Sequence, residues 1–192
     1  SSDVCSSDLT TQNGLVAMYN TIADASTKPV ILYNVPSRTG IGIQPETYVK
    51  LAQHPNIAAI KEANSDISKI VETFALVGDQ LDIYSGNDDQ IVPILSMGGQ
   101  GCISVLSNVV PKETVAITDQ FFAGNVAEAA RLQCQFMPLI RSLFCESNPI
   151  PVKAAMAALG FCENYLRLPL VPMEQDHYET MLQRMRELGL QV

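Results

Sequence analysis

Lys61 closes an apolar run, Ile57-Ala58-Ala59-Ile60, so its stem can lie in an apolar interior while its amine sits at the mouth of a strand. An amine with a reference pKa of about 10.4 is a poor nucleophile at neutral pH, and desolvation is the common way of lowering that value. The placement suits a Schiff-base lysine, although a lone lysine at a strand end reads more plainly as one that snorkels to solvent. Tyr33 shifts the balance. It sits near the C-terminal end of the preceding apolar run, where a phenol can reach the same cavity and relay a proton as a carbinolamine forms and dehydrates. Taken alone, it would be core filler with a bonded hydroxyl.

The elements that must position these two residues alternate along the chain. A helical pattern through Leu15, Met18, Ile22 and Ala25 is followed by a strand, Val30 to Val35, which Pro36 ends. The loop Ser37 to Gly42 leads to Pro45, at the first position of a helix through Tyr48, Leu51 and Ala52. The cycle repeats: strand Ile57 to Lys61 with a helix from Ile67 to Gly78, strand Leu81 to Ser85 with a helix from Asp88 to Met97 capped by Asp88 or Asn87, and strand Gly101 to Leu106 before the helix opened by Pro111. Connections this long are crossovers rather than hairpins, so the strands pair in parallel and the class is α/β. After Asn125 the patterns are helical only: Val126 to Phe144, Pro151 to Leu159 and Glu174 to Leu188. His177, on the last of these, has nothing beside it in sequence and reads as a surface or interface histidine. Four βα units fit a small doubly wound sheet or part of a (β/α)8 barrel. In either fold chemistry gathers at the C-terminal ends of strands, which carry Tyr33, Asn34 and Arg38, then Lys61, Glu62 and Asn64, then Ser85 and Gly86.

Other classes are disfavoured. The 192 residues carry 12 Lys and Arg against 20 Asp and Glu, a net charge of -8 that argues against a nucleic-acid partner. At 47% hydrophobic and 17% charged the chain is globular, with one domain the better expectation, and its apolar stretches are too short to span a membrane. Gly98-Gly99-Gln100-Gly101 runs from helix into strand, the wrong direction for a phosphate loop. Five cysteines, Cys5, Cys102, Cys134, Cys145 and Cys162, at wide spacings indicate reduced thiols in the cytoplasm and no zinc site. Ser1 to Leu9 repeats Ser-Ser-Asp without pattern and reads as a non-native leader.

Y-N-V-P-S-R-T-G (Tyr33 to Gly40) followed by A-I-K-E-A (Ala59 to Ala63) resembles the dihydrodipicolinate synthase family of pyruvate-dependent class I aldolases. Ser85 to Asp89, Gly98 to Val105 and Asn148 to Lys153 agree, so the resemblance runs in order from Thr10 to Val192. It implies a (β/α)8 TIM barrel represented by its last four βα units, residues 10–124, and a C-terminal helical region, 125–192. It also implies a lyase of lysine and diaminopimelate biosynthesis that condenses pyruvate with aspartate-4-semialdehyde to 4-hydroxy-tetrahydrodipicolinate. Lys61 would be the Schiff-base lysine and Tyr33 the proton relay. Arg38 would hold the semialdehyde carboxylate with its planar fork. Gly86 and Ile103 would line the lysine pocket through their backbone, and Glu62, Asp88 and Asp89 would be caps or loop ion pairs. No metal or organic cofactor is required, because the iminium is itself the electron sink. The family's tetramer, a dimer of dimers, is expected for the full-length protein.

The missing first half would carry the hydroxyl loop that completes the relay, and the family's second relay tyrosine would fall near Ser7. On this reading the isolated chain is an open half-barrel with exposed edges, weakly active at best and prone to self-associate. Two other readings stay open: a sialic acid or keto-deoxy-sugar-acid aldolase using the same Tyr33 and Lys61, which Arg38 disfavours, and a non-catalytic fragment.

Overall fold

The computed structural model describes residues 10–192, so the proposed leader and the position near Ser7 lie outside the described residues. Where composition favours one domain, the chain divides into two compact units, the first ending at Ile103 and the second spanning Ser104–Val192, each with its own hydrophobic core.

In the first unit, α1 (Gln12–Ala25) starts at Thr11, whose hydroxyl accepts the Gly14 N–H at 3.1 Å. β1 (Val30–Asn34) runs at once into a helical turn, α2 (Pro36–Thr39), so the segment expected to be an open loop is partly helical. Pro36 brings a φ already suited to a helix start, and Gly40, at φ 70°, closes the turn by donating its N–H to the Pro36 carbonyl. α3 (Pro45–Leu51) and β2 (Ile57–Glu62) follow. α4 (Ile67–Val77) is capped by the Asp66 carboxylate, which accepts from the Ser68 and Lys69 N–H groups.

Beyond β3 (Asp82–Ser85) the expected single helix is a 3-10 turn, Asp88–Gln90, leading into α5 (Ile91–Ser96). The fourth strand is shorter than expected: β4 is only Gly101–Cys102. A strand extends as far as its partner does, and β3 ends at Ser85, whose carbonyl accepts the Ile103 N–H as the last link.

The four strands form one parallel sheet in the order β1-β2-β3-β4. Register aligns Tyr33 with Lys61 and Lys61 with Tyr84, and one step on it aligns Asn34, Glu62 and Ser85. An irregularity between Val30 and Ile31 sets that alignment. Because successive side chains point to opposite faces, Leu32, Ile60 and Ile83 share one face and are buried in a core with Tyr48, Leu51, Ile70, Val77 and Ile94. Each such aliphatic side chain contributes about 1.5–3 kcal/mol on burial.

The second unit is helical: α6 (Leu106–Val109), α7 (Pro111–Phe122), α8 (Val126–Leu143), α9 (Ile150–Ala158) and α10 (Gln175–Glu187). The last three match the sequence expectation to a residue at each end. Counting βα repeats puts a boundary after residue 124, whereas compactness puts it after Ile103, because α7 packs along α8. Leu106, Phe136, Leu139, Leu143, Ala155, Met181 and Met185 form the centre of this core. No helix among the described residues is long and apolar enough to cross a membrane.

Candidate active site

Strand parity puts Lys61 on the opposite sheet face from Ile60 and Glu62, flanked in register by Tyr33 and Tyr84. The Lys61 amine sits 4.3 Å from the centroid of the Tyr33 ring, a cation–π contact. The ring face therefore holds the amine, and the phenol, on a residue 40% exposed, is left to other partners. Burial pushes the Lys61 ammonium below its ordinary pKa; the Asp88 carboxylate opposes that shift and the Arg38 guanidinium adds to it. The result is an amine biased toward its nucleophilic form on a strand end that is still half open.

Gly86 lies against the lysine stem. A Cβ there would stand 2.9 Å from the Ala63 Cβ, 3.0 Å from the Glu62 carbonyl oxygen and 3.1 Å from Lys61 Cγ, so only glycine fits without displacement. Its N–H donates to the Glu62 carbonyl at 2.7 Å, fastening β3's exit to β2's exit. Ile103 is tied to the Ser85 carbonyl at 2.8 Å, one strand further on. Arg38 stands in α2, exposed and with no ion-pair partner among the described residues, close enough for its charge to act on Lys61. Tyr33, Lys61, Arg38, Gly86 and Ile103 thus all belong to the first unit, at the C-terminal ends of its strands. The Asn148 to Lys153 motif belongs to the second unit, where it opens α9.

Glu62 is neither a cap nor a loop ion pair, contrary to the expectation. It is 2% exposed and accepts from Asn34 Nδ2 at 2.9 and 3.1 Å, from the Tyr48 hydroxyl at 3.1 Å and from the Asn64 N–H at 2.7 Å. Asn34 Oδ1 in turn accepts the Ile43 N–H. Burial raises the Glu62 carboxyl above its ordinary value while these donors pull it down, and burial beside Glu62 raises the Tyr48 phenol strongly. The network locks the exits of β1 and β2 and the start of α3 immediately behind Lys61.

Of the two residues the sequence offers as the cap, Asn87 takes that position at the 3-10 turn, and Asp88 is buried, its charge acting on both Lys61 and Cys102. Burial and that carboxylate push the Cys102 thiol up to about 11, which keeps it protonated. Sequence reasoning missed Tyr84 and Tyr48; Tyr84 follows from the register, which sets it directly opposite Lys61 once the strands are aligned.

Residues 9–188 match the model of the dihydrodipicolinate synthetase family. Over 180 residues the chain is 49% identical to a 4-hydroxy-tetrahydrodipicolinate synthase of Alkaliphilus oremlandii, covering 94% of this chain and 62% of that protein. The one from Caldicellulosiruptor bescii is 48% identical over 183 residues, with 95% and 62% covered. Among solved structures, dihydrodipicolinate synthase from Thermotoga maritima superposes with a TM-score of 0.92 at 41% identity, covering 95% of this chain and 63% of that one. A monomeric dihydrodipicolinate synthase variant also gives 0.92, at 42% identity and 62% of its length. The chain therefore spans less than two thirds of the length of these relatives.

Proposed function

The chain belongs to the dihydrodipicolinate synthetase family, and from that premise we propose that Lys61 forms a Schiff base with pyruvate and that the protein condenses it with aspartate-4-semialdehyde to 4-hydroxy-tetrahydrodipicolinate, on the route to diaminopimelate and lysine. The observation that carries the reading is the Lys61 amine, lowered in pKa by burial and lying 4.3 Å from the Tyr33 ring at the end of β2.

The neutral amine attacks the keto carbon of pyruvate; its proton leaves and the carbonyl oxygen gains one, giving a carbinolamine. The Tyr33 phenol delivers the proton with which that oxygen departs as water, and the iminium remains. Loss of a methyl proton then gives the enamine, with the iminium nitrogen as electron sink. The enamine carbon bonds to the aldehyde carbon, whose oxygen takes up a proton, and the substrate's own amino group then attacks the re-formed iminium carbon, closing the ring and expelling the Lys61 amine. Arg38 fixes the semialdehyde through its carboxylate, for which a planar guanidinium is suited. The backbone of Gly86 and Ile103 forms the wall against the lysine. The reading extends to a tetramer, a dimer of dimers, for the full-length protein and to a cytoplasmic site of action, where the thiols stay reduced.

The test is borohydride reduction of the chain in the presence of pyruvate, read by intact mass and peptide mapping. A single reduced pyruvate adduct on the peptide containing Lys61 is the expected result. A folded chain that gives no adduct, or one spread over other lysines, overturns the reading.

A further inference from the structure

In sequence His177 stands alone and the cysteines show no metal spacing; folding supplies the neighbours. Cys145 and Glu146 directly follow Phe144, the C-cap of α8, and His177 lies in the first turn of α10. One ligating atom from each of Cys145, Glu146 and His177 lies within 4.8 Å of the others. His177 Nδ1 is 2.8 Å from Glu146 Oε1, which also accepts the Glu174 N–H at 3.1 Å. The elements that bear these groups are fixed by the second unit's core, in which Leu139, Ile140 and Leu143 of α8 pack with Met181 and Met185 of α10.

We propose that Cys145, Glu146 and His177 form a binding site for a zinc-class divalent cation, which clips the end of α8 to the start of α10. A thiolate, an imidazole nitrogen and a carboxylate oxygen make a donor set that tetrahedral zinc accepts, with water in the fourth position. Zinc bond lengths place ligand atoms about 3.3–3.8 Å apart, so the His177 and Glu146 pair, now at 2.8 Å, opens by about half an ångström, and the sulfur, within 4.8 Å of both, closes by about 1 Å at most. Side-chain rotation covers both movements, because Cys145 and His177 are exposed.

Binding displaces the Cys145 thiol proton, now donated to the Ser142 carbonyl with sulfur and oxygen 3.2 Å apart, to solvent, while the His177 imidazole keeps its one N–H on the ring nitrogen that does not ligate. Glu174 and Asp176 line the same surface depression as His177, adding negative charge around the cation. A chain of net charge -8 favours its approach. The site lies wholly within the second unit and does not depend on the chemistry of Lys61.

The experiment is a titration of the reduced, chelator-treated 192-residue chain with Co²⁺, followed through thiolate-to-cobalt charge-transfer absorption and then by displacement with Zn²⁺. Absorption that saturates at one equivalent per chain and is abolished by zinc is expected. Cys145→Ser removes it, His177→Ala and Glu146→Gln each weaken binding at least tenfold, and Cys162→Ser leaves it unchanged. Far-ultraviolet circular dichroism checks that each variant folds, and if Cys145→Ser does not, the affinity of His177→Asn decides. The proposal is overturned if the parent chain gives no thiolate band, if the band survives in Cys145→Ser, or if folded His177 variants bind as tightly as the parent.

Discussion

The two faces of the β1-β2-β3 sheet are built from the same strands and behave as different materials. One carries Leu32, Asn34, Ile60, Glu62, Ile83 and Ser85, all buried, and its polar members bond to each other or to neighbouring backbone. The other carries Tyr33, Lys61 and Tyr84, each at least partly open. Lys61 and Glu62 are adjacent in sequence and of opposite charge, yet they are directed to opposite faces. The lesson is that the closed face supplies rigidity so that the open face can hold an amine in a state it would not choose in water.

The sharpest way to break this division is on the open face. Lys61→Ala should abolish the borohydride-trapped pyruvate adduct altogether while far-ultraviolet circular dichroism stays that of the parent. A residual adduct would show that another amine does the work. On the closed face, Glu62→Ala leaves the Asn34, Tyr48 and Asn64 donors without their acceptor, and urea unfolding should report a loss of about 3 kcal/mol. Glu62→Gln should cost only about 1 kcal/mol, since the Tyr48 hydroxyl can turn to accept. Equal losses for the two would mean that the network contributes nothing beyond its volume.

A smaller effect distinguishes chemistry from packing within the open face. Tyr33→Phe keeps the ring under the amine and removes only the phenol, so the rate of adduct formation should fall by about 10²-fold with stability unchanged. The smallest effect comes from pH. The folded-state pKa of Lys61 lies below its unfolded value, so its contribution to stability is complete above the unfolded value and is lost as pH falls through the depressed one. Wherever the side chain is charged, burial opposes that charge in the folded state. Lys61→Met should therefore raise the urea midpoint slightly at pH 7, with the gap to the parent narrowing as pH rises toward 10.

Much of this was legible in the residue order. Apolar runs closed by Tyr33-Asn34 and Lys61-Glu62, with crossover lengths between them, fix parallel βα units and put the amine at a strand exit. What was not legible depends on partners distant in sequence. The early end of β4 is set by β3, not by Ile103 to Leu106, which are apolar enough to continue. Glu62 resembles a loop carboxylate until Asn34 and Tyr48 close over it. His177 looks solitary because Cys145 and Glu146 reach it only when α8 and α10 pack.

The irregularity between Val30 and Ile31 bears on how this chain tolerates editing of its length. It is the step that brings Ile31 opposite Ala59 and hence Tyr33 opposite Lys61. A side-chain period of two turns any one-residue slip into an exchange of faces. Deleting a single codon in the His54 to Asn56 turn would present Glu62 where the amine belongs and drive Lys61 into the apolar layer. Deletion scanning should accordingly find this short turn less forgiving than point substitution does, with two-residue changes better tolerated than one.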